Sequence, residues 1–147
     1  MTETPMQRAL ALAQKAAEAG EVPVGAVIFR DGELIAEAEN EMRRLGDPTA
    51  HAEMVAIRRA IAATGQERLT DCDLYVTLEP CTMCAGAIAH ARLRRLYYAA
   101  EDLKGGAVDN GVRFFAQPTC HHAPEVIGGI EENRAAEMLR QFFLSRR

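Results

Sequence analysis

Two short segments carry residue types that could do chemistry: His51-Ala52-Glu53 and Pro80-Cys81-Thr82-Met83-Cys84. Cys81 and Cys84 stand three positions apart, so one helical turn brings both sulfurs to a single ion. With a histidine they form an N,S,S donor set, the ligand chemistry of zinc. His51 and Cys81 each fall at the expected start of a helix, where the peptide dipole favours thiolate over thiol. Three protein ligands leave a fourth tetrahedral position for water, whereas structural zinc sites usually fill all four. Zinc lowers the pKa of such a water to about 7. Glu53, two residues after His51, is placed to take the water's proton and pass it on. The set reads as a hydrolytic centre with its own proton shuttle. A fourth ligand from Cys72, Cys120, His121 or His122 would instead close it into a structural site.

Those residues need rigid supports, and the hydropathy pattern supplies them. Pro5 opens a first helix with Leu10, Ala13 and Ala17 on one apolar face, ended by Gly20. Val24 to Phe29 reads as a buried strand, Asp31-Gly32 as a hairpin turn, and Leu34, Ala36 and Ala38 as the inward positions of a second strand. Asn40 to Thr49 is a polar loop. From Ala50 the period changes, with Met54, Ile57 and Ile61 marking a helix that ends near Gly65. Leu74 to Leu78 is a third strand, Cys81 to Ala91 a short helix, and Leu96 to Ala99 a fourth strand. Glu79 reads as structural, accepting backbone hydrogen bonds at a helix start. Gly105, Gly106 and Gly111 mark a loop, and Val126-Ile127 a short fifth strand. Ala135, Met138, Leu139, Phe142 and Phe143 place a closing amphipathic helix, with at least one Phe in the core. This alternation predicts an α/β protein, layered around a central sheet.

Composition bounds the rest. A chain of 147 residues with 48% apolar and 26% charged residues is expected to fold as one domain over 1–147. A net charge of −4 excludes a protein that coats nucleic acid by bulk charge. The longest stretch without Asp, Glu, Lys or Arg runs from Pro80 to Ala91, far short of the roughly 20 residues of a spanning helix. The N-terminus has no basic region followed by an apolar one, and four cysteines then suggest a reducing compartment. A cytoplasmic location is expected.

Beyond the zinc motifs, Glu21-Val22-Pro23-Val24-Gly25-Ala26-Val27, Asn40, Asp47-Pro48-Thr49-Ala50 and Leu74 to Glu79 carry a wider pattern. So do Met83 to Ala87 and the closing Phe142-Phe143 with Arg146-Arg147. Together they resemble the bacterial tRNA-specific adenosine deaminases, in the cytidine/deoxycytidylate deaminase superfamily. The resemblance implies a cytidine-deaminase-like three-layer α/β/α sandwich around a mixed sheet of about five strands. It also implies a homodimer with one zinc per subunit that makes inosine at the wobble position of an anticodon loop, most often in a tRNA for arginine. By the same resemblance His51, Cys81 and Cys84 hold the metal and Glu53 is catalytic. Asn40 contacts the nucleoside, and Val22, Pro23, Val24 and Ala52 line the base pocket. Asp102 touches RNA beside the flipped base, and the C-terminal helix lies against the loop. Lys104, Phe142, Phe143, Arg146 and Arg147 are the expected further RNA contacts. Glu101 stands where some relatives carry Arg, and Asp109 to His122 departs from the pattern. Two rivals share the motif: a deaminase of free guanine or cytosine, and a non-catalytic zinc module.

Overall fold

The computed structural model describes residues 2–146. Thr4 caps helix α1 (Pro5–Glu18): its hydroxyl accepts from Gln7 N while the Gln7 side chain accepts from Thr4 N. Strand β1 (Gly25–Arg30) turns into β2 (Glu33–Glu39) through Asp31 and Gly32, both at positive φ (50° and 79°), as the tight hairpin turn requires. Then follow α2 (Met42–Leu45), α3 (Ala52–Thr64), β3 (Asp73–Leu78), α4 (Thr82–Ala91), β4 (Arg95–Ala100), a 3-10 turn (Phe114–Ala116), β5 (Glu125–Gly128) and α5 (Glu132–Leu144).

The sheet runs β2-β1-β3-β4-β5. Strand β1 is antiparallel to both β2 and β3, whereas β3, β4 and β5 are parallel, so the sheet is mixed and five-stranded. Alternate residues feed two cores. Ala26, Ile28, Leu74, Val76, Leu96 and Tyr98 meet α3 and α4 on one face. Val27, Phe29, Tyr75, Tyr97 and Ala99 meet α1 and α5 on the other. The result is the expected α/β/α sandwich. Gly25 lets α1 lie directly on β1, because a Cβ there would overlap the Ala9 carbonyl oxygen and sit 2.8 Å from Ala13 N.

Three local expectations are corrected. The β1–β2 register shifts between Ile28, opposite Ala36, and Phe29, opposite Leu34. Ile35 is therefore an extra, bulged residue that packs toward the core, while Leu34 points outward, 37% exposed. The Asn40–Thr49 loop contains the single turn α2, too short to show an apolar period. In α5 only Ala135 is buried; Phe142 is half-buried and Phe143 is 54% exposed. The reason is steric: α1 covers the middle of that sheet face, leaving α5 the margin at β4.

Candidate active site

His51 is the N-cap residue of α3 and Cys81 that of α4, both in extended backbone, and neither side chain caps its own helix. Both are thus free for another partner, and Cys84 follows one turn into α4. His51 Nδ1 lies 3.6 Å from Cys81 Sγ and 3.5 Å from Cys84 Sγ. A tetrahedral zinc with usual Zn–N and Zn–S lengths would set that N···S edge at about 3.6 Å. The donor set fits zinc in type and in spacing.

The two neighbouring thiols are shifted in opposite directions. Cys81 falls to about 4, chiefly because Cys84 donates to it and His51 adds a second bond. Cys84 is pushed up for the reciprocal reason and by burial. His51 is raised, first through its hydrogen bond with Cys81. Among the described residues, the alternative fourth ligands stay outside this cluster. Cys72 is buried in the core, its thiol pushed up to about 11 by burial. Cys120 donates to the His122 carbonyl, and the His122 ring bonds Leu93 O at 2.7 Å.

Glu53 projects from the first turn of α3 into a cavity of about 190 Å³ and is only 4% exposed. Burial raises its carboxyl to about 7. A group poised there both takes and releases a proton near neutrality. The cavity is smaller than the roughly 300–1,000 Å³ of drug-sized sites, which suits one planar heterocycle. His51 and Cys81 line it together with Val22, Val24, Asn40, Ala52 and Asp102. Pro23 and Cys84 are buried and do not line the wall.

Residues 1–100 match the cytidine and deoxycytidylate deaminase zinc-binding region. The chain belongs to the cytidine and deoxycytidylate deaminase family. A tRNA-specific adenosine deaminase of Agrobacterium fabrum is 61% identical over 142 residues, covering 97% of this chain and 93% of its own. A solved chain from work on A-to-I editing by tRNA:A34 deaminases at the wobble position superposes with a TM-score of 0.90 at 60% identity, over 91% of this chain and 97% of that one. The guanine deaminase of Bacillus subtilis is 36% identical with a TM-score of 0.65, over 96% and 94% of the two chains.

In this deaminase, Met42, Leu78, Glu79 and Gly105 complete the cavity wall, and sequence reasoning had given none of them a place there. Asn40 is 95% buried; its amide donates to Val22 O and accepts from Met42 N, both at a loose 3.4 Å. Such bonds leave donor and acceptor capacity for a ligand. Asn40→Ala is expected to lower kcat/KM on RNA by about tenfold to a hundredfold, the range for one lost buried hydrogen bond, with zinc content unchanged. An unaltered rate would return Asn40 to a turn residue after β2.

The remaining expected contacts divide around α5. Lys104 and Phe143 line an outer groove of about 610 Å³ that shares Val22, Leu78 and Asp102 with the cavity. Phe142 and Arg146 instead line a separate groove against α1, where the Arg146 guanidinium lies 4.6 Å from the Phe142 ring centre. Arg147 lies outside the described residues.

Proposed function

We propose that this protein is a zinc-dependent hydrolase that converts adenosine to inosine at the wobble position of a tRNA anticodon loop. In this reading residues 1–147 are one deaminase domain, working in the cytoplasm as a homodimer on a tRNA for arginine. The observation that carries the RNA part is the continuity of the base-sized cavity with the Lys104–Phe143 groove. A free base would fill the cavity and leave that groove idle, whereas a flipped nucleotide needs room for its neighbours. The 61% identity to a tRNA-specific adenosine deaminase supports the same choice.

Zinc, held by His51, Cys81 and Cys84, would supply the Lewis acidity that makes water nucleophilic near neutral pH. The protein's part is proton handling. As water adds to the amino-bearing ring carbon, Glu53 accepts its proton and delivers it to the adjacent ring nitrogen. The second water proton passes through the same carboxylate to the departing amine, so ammonia leaves and a ring carbonyl remains. Val22, Val24 and Ala52 would pack the base, and Asn40 would orient it.

The competing reading is a free-base deaminase, favoured by the 36% identity to a guanine deaminase. Inosine formation in an arginine-tRNA anticodon stem-loop, set against ammonia release from guanine and cytosine, separates the two. A chain of 16.1 kDa that runs at about twice that mass would support the dimer. No described helix is long and apolar enough to cross a membrane.

Truncation after Leu144 removes Ser145, Arg146 and Arg147. It is expected to weaken stem-loop binding and make its salt dependence shallower, by about 0.7 per lost single-strand phosphate contact. Zinc content should not change. Activity confined to free bases and indifferent to the truncation would overturn the tRNA reading.

A further inference from the structure

Glu79 is 2% exposed and stands two residues before the candidate ligand Cys81. Its carboxylate does not serve the start of α4, as its position suggested, but holds the chain that follows β4. Oε1 accepts from Asp102 N at 3.0 Å and from Asn110 Nδ2 at 2.7 Å. Oε2 accepts from the consecutive amides of Val108, Asp109 and Asn110 at 3.0, 2.9 and 3.1 Å. A carboxylate has about four lone-pair positions, so these donors leave nothing for a substrate, although Glu79 borders the cavity. Successive amides converging on one oxygen form a backbone nest for an anion, and here the anion is a side chain of the same protein.

The surrounding contacts are equally tight. A Cβ at Gly106 would sit 2.5 Å from both Glu79 Cδ and the Asp102 carbonyl oxygen, so the loop wraps the carboxylate more closely than a side chain allows. Ala107 N donates to Pro80 O at 2.9 Å, and the Tyr98 hydroxyl donates to Asp109. The peptide from Glu79 to Cys81 therefore carries a candidate metal ligand at one end and this loop at the other. The loop in turn presents Asp102 and Gly105 to the cavity and Lys104 to the outer groove.

We propose that Glu79 is a positioning residue for the substrate pocket: as the built-in anion of the Val108–Asn110 nest, it fixes the Asp102–Gly105 wall relative to the metal ligands. That this wall meets an RNA substrate rests on the function proposed above.

Glu79→Gln keeps the shape but turns an amide group toward amide donors. It should retain one zinc per chain. Well below the melting temperature, amide hydrogen exchange should quicken locally at residues 102–110. KM for the anticodon stem-loop should rise about tenfold to a hundredfold, with a smaller change in kcat. A residue that only stabilised the fold would lower the melting temperature and leave KM of the folded enzyme unchanged. Wild-type exchange at 102–110, or a wild-type KM, overturns the proposal. If Glu79→Gln does not fold, Asn110→Ala removes one of the five bonds and spares the carboxylate; unchanged exchange at 102–110 in that variant overturns it equally. If the wild-type protein makes no inosine in the stem-loop, the substrate reading fails, and the exchange measurement alone decides the role of Glu79.

Discussion

Glu53→Ala is expected to abolish inosine formation for practical purposes while leaving the fold and the zinc in place. The loss should be at least the ~10²–10⁴-fold typical of a general acid/base, because one carboxylate handles every proton transfer in the proposed sequence. Zinc content should stay at one per chain, since the three donors His51, Cys81 and Cys84 make the cluster without Glu53. The substitution also removes a carboxyl whose charged form burial disfavours, so it should not lower the melting temperature. Metal analysis, thermal melting and single-turnover inosine formation on one preparation provide the check. Near-normal turnover would remove Glu53 from the mechanism.

Replacing both Cys81 and Cys84 by Ala should produce the other large effect, on metal and stability together. A ligand that binds only the folded chain stabilises it by about 4 kcal/mol at a thousandfold excess over Kd. For a chain of this size that is a rise in Tm of about 10 °C. Wild-type protein should show this shift between chelator-treated and zinc-loaded samples, and the double variant should show none. The variant should also melt near the chelator-treated wild type, because metal binding and folding are coupled. Full zinc occupancy in the double variant would move the metal site elsewhere.

Short-range chemistry was legible without coordinates. The spacing of Cys81 and Cys84 and the position of His51 at a helix start depend on one turn of backbone, and the structure brings all three together within 4.8 Å. Apolar runs bounded by turn residues likewise marked β1, β3 and β4, and the structure sends their alternate residues to two cores, as a side-chain period of two requires. What failed at this level failed for local reasons that the pattern cannot carry. The bulge at Ile35 turned Leu34 outward, and one turn of α2 brought Met42 to the cavity.

Only the tertiary structure decided how the site is walled. Glu79 is separated by 23 to 31 residues from the amides it binds, and no period or motif links positions so distant in the chain. Their meeting depends on β3 and β4 lying parallel, which brings the ends of both strands to one edge of the sheet. The same holds for α5, whose apolar stripe foretold burial. Because α1 already fills the centre of that face, the stripe is split: Phe143 faces the groove beside the cavity and Phe142 the groove along α1. The sequence by itself thus determined the candidate reacting groups, since their chemistry is set by residue type and one helical turn. Packing determined the shape of the space in front of them, because that shape is made by loops anchored across the sheet.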